Sequence, residues 1–89
     1  MIKRYVKRPT VISAVKWTGH NANEIAEFVK GGSLTLYKSN FDITRLFIET
    51  PEGGIDVEVG DYIIQGVRGE YYSCKPNIFT ETYEEIENG

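Results

Sequence analysis

The sequence predicts an α+β fold: a small curled antiparallel sheet or partly open barrel of about six strands, with one helix packed against it. Three observations predict it. Apolar residues recur at helical spacing in one clear stretch, residues 22–30. Elsewhere β-branched and aromatic residues gather in short runs, some alternating strictly with polar ones. The corners between those runs are too short for the long crossovers that parallel strands require.

Taken in order, Ile2-Lys3-Arg4-Tyr5-Val6-Lys7 reads as an edge strand, Pro9-Thr10 breaks it, and residues 11–17 form a second strand ending on Trp17. Asn21 offers an N-cap with Glu24 as its box partner three residues on. Ile25, Phe28 and Val29 then share one face of the helix, and Lys30 with Gly31-Gly32 writes its C-terminal end. From there the period changes to 2. Residues 34–37 are strand-like, Ser39-Asn40-Phe41-Asp42 reads as a polar loop, and residues 45–50 and 55–59 form a hairpin about the turn Pro51-Glu52-Gly53-Gly54. Gly60-Asp61 makes a corner, and Tyr62–Val67 and Glu70–Cys74 pair about Arg68-Gly69. Pro76 opens a turn or single helical turn through Phe79, and Thr80–Ile86 adds a last strand. The expected core is Val15, Trp17, Ile25, Phe28, Val29, Leu46, Ile48, Val57, Ile64 and Phe79.

Size and charge narrow the function. A chain of 89 residues is expected to make one domain and a single modest core. Its net charge of −3 disfavours general binding to nucleic-acid backbones, which need a basic face. The charge is uneven, with Lys3, Arg4, Lys7 and Arg8 at the start and Glu81, Glu84, Glu85 and Glu87 near the end. If the two terminal segments run side by side as strands, these charges compensate each other. Cys74 is the only cysteine, so no disulfide forms within the chain, and it reads as a buried, unreactive thiol. No run reaches the apolar length of a membrane span or a signal-peptide core, so the expected location is the cytoplasm.

Catalytic and metal chemistry find little to use. His20 is the only histidine and lies in the loop before the helix. Asp56, Glu58 and Asp61 resemble a carboxylate cluster, but strand alternation turns 56 and 58 outward toward solvent. The glycines at 60, 66 and 69 match no phosphate-binding pattern. The expectation is a protein that is not an enzyme and uses no cofactor or metal.

Aromatic residues point to binding. Trp17, Tyr62, Tyr71, Tyr72, Phe79 and Tyr83 fall in or near strands that should be neighbours, with Arg68 and Lys75 among them. Tyr71 and Tyr72 point to opposite faces of one strand, so one of them is exposed. The candidate ligand-binding set is Arg68, Tyr71, Tyr72 and Lys75, with Trp17 in a lesser role. Arg68 offers a planar fork for phosphate or carboxylate, Lys75 a point charge, and a tyrosine a flat apolar contact.

Ala14-Val15-Lys16-Trp17-Thr18-Gly19, the capped helix with Glu24-Ile25 and Phe28, and residues 60–79 with Thr82-Tyr83-Glu84 together resemble a widespread family of small bacteriophage and prophage proteins. The stretch Gly60-Asp61-Tyr62-Ile63-Ile64 through Gly69-Glu70-Tyr71-Tyr72 to Cys74-Lys75-Pro76 carries most of the likeness, while Ser73 and Asn77 stand where proline and aspartate are expected. The resemblance implies a phage-encoded accessory protein in the host bacterial cytoplasm. By analogy it would act in counter-defence or host takeover, sequestering a small nucleotide signal or blocking a host protein. The alternative is a structural or assembly accessory that works by self-association, and both readings allow a homo-oligomer.

Overall fold

The computed structural model describes residues 1–30, 32–39 and 42–86. Its elements are β1 (Ser13–Lys16), α1 (Ala22–Phe28), β2 (Ser33–Ser39), β3 (Asp42–Thr50), β4 (Gly53–Glu58), β5 (Tyr62–Gln65), β6 (Tyr71–Cys74) and α2 (Pro76–Thr82). The chain is α+β, and its described residues form two antiparallel three-stranded sheets, ordered β1-β5-β6 and β2-β3-β4, and two helices. Among the described residues neither sheet closes into a barrel.

The β2-β3-β4 sheet follows the alternation in its sequence. Leu46, Ile48 and Val57 are fully buried, with Leu34 and Ile55 packed beside them, and Leu46 pairs with Val57 and Ile48 with Ile55 across the hairpin. Ile25 and Val29 come down on this face from α1 and the residue that caps it. The other face carries Arg45, Phe47, Asp56 and Tyr37, and Arg45 forms an ion pair with Asp56. Phe47 lies over Gly54, where any side chain would collide with its ring.

Strand β5 is central in its sheet and covered on both faces, so Ile63 and Ile64 are both fully buried. Alternation places Val15, Ile63 and Tyr71 on the face toward α1, and Ile64, Tyr62 and Tyr72 on the face toward α2. Trp17 is fully buried where the sheets meet. Its backbone N–H donates to Asp61 O at 2.8 Å and its carbonyl accepts from Gly60 N–H at 2.7 Å, which ties the end of β1 to the corner between β4 and β5.

Several expectations need correction. Residues 2–7 form no strand, because no strand among the described residues offers them hydrogen bonds; Met1–Thr10 is exposed throughout. Among the described residues there are two helices and not one. Thr80–Ile86 is not a strand, because α2 continues through Thr82 with Pro76 in its first turn and Tyr83 N–H bonded to Phe79 O at 2.9 Å. α1 ends at Phe28, two residues early. Asn21 precedes α1, but its side chain caps no helix backbone N–H; it bonds the preceding loop and the side chain of Glu24. Gly31 lies outside the described residues. Gly32 is required for close approach, since a Cβ there would meet Val29 Cγ1 at 2.8 Å and Glu49 O at 2.9 Å. In the expected loop 39–42, Ser39 and Asp42 belong to paired strands, and Asn40 and Phe41 lie outside the described residues. The strand expected over 62–67 stops at Gln65, where Gly66 N–H turns to Glu70 O.

Candidate functional site

The five candidate binding residues do not form one surface. Trp17 is fully buried, and its indole Nε1 has no hydrogen-bond partner among the described residues. Tyr71 faces inward. Its ring meets Phe28 edge-on at 5.8 Å, its hydroxyl donates to Phe28 O at 2.9 Å, and Gln65 Nε2 donates to that hydroxyl at 3.2 Å. These bonds fasten the end of α1 to β6.

Lys75 is also engaged. Its ammonium donates to Asp61 Oδ2 at 3.1 Å and to Glu58 Oε2 at 3.4 Å. Asp61 is buried and needs these partners, since the same Oδ2 also accepts the Glu58 backbone N–H at 3.0 Å. The bond to Asp61, more than the attraction of the Glu58 carboxylate, raises the Lys75 ammonium above its usual value. Two carboxylates of the suspected cluster, Glu58 and Asp61, therefore hold a turn together, while Asp56 pairs with Arg45. Among the described residues no group of three or more His, Cys, Asp or Glu is placed to hold a metal ion.

Arg68 is exposed at the β5–β6 turn, where its backbone N–H donates to Glu70 Oε2 at 3.0 Å. Tyr72 is the exposed member of its pair, on the face opposite Tyr71. Its hydroxyl lies 3.4 Å from that of Tyr83, and this bond, helped by partial burial, pushes the Tyr72 phenol up to about 12. Cys74 is half-buried rather than buried, and its Sγ donates to Lys75 O at 3.6 Å.

The Tyr72 face leads to an arrangement that spacing alone did not reveal. α2 lays Phe79 flat on Tyr62, with ring centres 3.8 Å apart and planes within 7° of parallel, and Tyr83 follows at 5.0 Å from Phe79. Residues 79 and 83 share a helix face, which is the one sequence signal that could have found this stack. Beside it runs an open groove of about 1310 Å³. Tyr62, Phe79, Tyr83 and Ile86 contribute apolar lining, residues 7–14 line it as well, and its charged lining is Lys7, Arg8, Glu84 and Glu85. The terminal segments thus come near each other without pairing as strands, and no ion pair joins them among the described residues. Glu87 lies outside the described residues.

Comparison with protein-family models, curated proteins and solved structures finds no match. No helix among the described residues is long and apolar enough to cross a membrane.

Proposed function

We propose that this chain is a non-enzymatic binding protein whose groove beside α2 takes an extended segment of a protein partner. The observation that carries the reading is the groove itself: stacked aromatic rings, a lining that holds both basic and acidic side chains, and a bordering segment, residues 7–12, whose backbone is not committed to a sheet. Aromatic rings in a groove supply anchor energy once a partner covers them, and unpaired backbone groups supply strand-like hydrogen bonds. The small-nucleotide version is less well supported, because Lys75 is held by Asp61 and Tyr71 by the Phe28 carbonyl, which leaves only Arg68 and Tyr72 of the expected set exposed and unengaged by a charged or backbone partner through their side chains among the described residues. The resemblance to small phage proteins supports an infected bacterial cell as the setting. The partner there would be a host protein, blocked as a counter-defence or takeover measure.

The test places a photo-crosslinking phenylalanine analogue at Tyr83, or at Tyr37 on the far sheet, in bacterial cells producing the full chain. The expected result is a discrete polypeptide adduct from position 83 and none from 37. Equal adducts from both positions, or none from 83, overturn the groove. A rise in Tm with cyclic or ADP-ribose-type nucleotides that disappears in Arg68→Ala would replace this reading with the nucleotide one.

A further inference from the structure

Strand β1 lies at the edge of its sheet, and its hydrogen bonds show which of its backbone groups are free. Trp17 N–H donates to Asp61 O and the Trp17 carbonyl accepts from Gly60 N–H, so the Trp17 backbone faces β5 and the corner before it. Backbone direction alternates along a strand, which turns Val15 and Ser13 toward β5 and Ala14 and Lys16 away from it. The Lys16 carbonyl agrees, because it accepts from the Asn21 side chain, Nδ2 at 2.7 Å, and not from β5. Asn21 thus stands where the N–H of a further strand would stand, and it closes the edge at Lys16. Ala14 is exposed, and among the described residues no backbone–backbone bond outside the β1–β5 ladder reaches it. Its side chain tells the same story. On the face toward α2, Tyr72, Ile64 and Ala14 form one row across the sheet, and the row ends on a methyl group. Ile12 and Ala14 line the groove together with Tyr62, Phe79 and Tyr83. Its charged lining, Lys7 and Arg8 with Glu84 and Glu85, is balanced, so net charge does not select an occupant.

We infer that the groove's occupant is a strand added to the free edge of β1: an uncharged, extended segment of a partner protein with large apolar side chains at alternate positions. This inference rests on the groove reading and names what the groove selects. The added strand exchanges backbone hydrogen bonds with Ala14 and runs from there toward Ile12, since Asn21 stops it at Lys16. The residue opposite Ala14 extends the row Tyr72, Ile64, Ala14, so a large apolar side chain there fills the space beside the methyl group and meets the groove's aromatic rings. The next residue but one does the same beside Ile12. A second copy of β1 fits this edge poorly. Pairing about a two-fold axis through Ala14 would bring Ile12 of the second copy against Lys16, whose carbonyl Asn21 already holds.

The experiment selects binders of the full chain from a displayed library of random peptides and measures them as synthetic peptides. Selected sequences should alternate large apolar with small polar residues, carry little net charge, and form adducts with a photo-crosslinker at Tyr83. Their affinity should change little between low and moderate salt. Ala14→Pro should fold with a Tm near the parent's, because proline is tolerated at an edge position whose N–H faces solvent, and should bind these peptides at least about tenfold more weakly. Val15→Pro, which removes an N–H turned toward β5, should not fold. Amide exchange in the unsubstituted chain gives an independent reading: the Ala14 amide should exchange faster than that of Val15, and bound peptide should slow it by at least about tenfold. Peptides that crosslink at Tyr83 but leave Ala14 exchange unchanged overturn the added strand and leave the groove reading standing. Strongly charged peptides whose binding collapses with salt do the same. If no selected peptide reaches Tyr83, both readings fall. Protection of the Ala14 amide that grows with protein concentration in the absence of peptide overturns the partner segment in favour of a second copy.

Discussion

The two sheets have the same number of strands and opposite relations to their surroundings. The β2-β3-β4 sheet buries one face and leaves the other to Arg45, Phe47 and Asp56, whereas β5 is covered by the α1 side below and by α2 above, so that adjacent Ile63 and Ile64 both disappear from solvent. The difference teaches where binding surface arises. A sheet with one open polar face is finished when its core side is packed; a sheet that recruits a short helix to its second face gains a seam along that helix. The aromatic groove follows that seam.

The sharpest test of the contrast compares Ile63→Ala with Phe47→Ala. Losing Ile63 should cost about 2–5 kcal/mol because the side chain is fully buried in a sheet packed on both faces. Losing Phe47, a partly exposed ring, should cost clearly less. Denaturant midpoints measure both, and equal losses would mean that the outer face of β3 is packed as tightly as β5.

Next in size is Asp61→Ala, which removes the acceptor for the Glu58 N–H and the principal partner of Lys75. A loss of about 1–3 kcal/mol is expected. Lys75→Met should cost less, because that lysine's side chain is half-exposed. The reverse order would show that the β4–β5 corner does not depend on its buried carboxylate.

The stack of Tyr62 on Phe79 should appear as a coupling of about 0.5–1.5 kcal/mol in a double-mutant cycle with leucine at both positions. A coupling near zero would detach α2 from the sheet energetically and remove the reason for treating the two faces of β5 as equals.

The smallest expected effect is alkaline. Tyr72 is raised from 10.0 to about 12 and Lys75 is raised above 10.5, so both contributions are fully present below the unfolded values and disappear as pH climbs through the folded ones. Stability should be level up to about pH 9–10 and decline toward pH 12. Tyr83→Phe, which removes the hydroxyl bonded to Tyr72, should flatten part of that decline in a series of melting curves. An unchanged slope would sever the link between α2 and β6.

The same contrast explains what could be read in the sequence. Strict alternation in Ile55-Asp56-Val57-Glu58 declares a one-sided sheet, and the hairpin and most of its core were legible from it. Ile63-Ile64 carries no such signal, because a strand covered on both faces reads as a plain apolar run, and Ile63 was absent from the expected core for that reason. Phe28 was assigned to the full interior, but it is half-buried against Tyr71, so its truncation falls below the about 3–5 kcal/mol of an enclosed ring. Residues 2–7 and 80–86 show how far β-propensity depends on context: the first has strand composition without a partner, and the second has Thr80, Thr82 and Tyr83 inside or beside a helix that Pro76 starts. The candidate site was legible as a list of aromatics but not as a place. Which of Tyr71 and Tyr72 faces out depends on tertiary packing, and the engagement of Lys75 depends on a turn fourteen residues earlier.

One side-chain amide ties together the loop that joins β1 to α1. Asn21 Oδ1 accepts from Thr18 N–H and Thr18 Oγ1 at 2.9 and 3.0 Å, and Nδ2 donates to Lys16 O at 2.7 Å and Glu24 Oε1 at 2.8 Å. Hydrolysis of that amide during ageing would replace a donor by a second acceptor, setting a carboxylate against the Glu24 carboxylate and the Lys16 carbonyl. The loop joining β1 to α1 would then lose its tie beside the buried tryptophan, and the aged fraction should separate from fresh protein as a more acidic species that melts earlier.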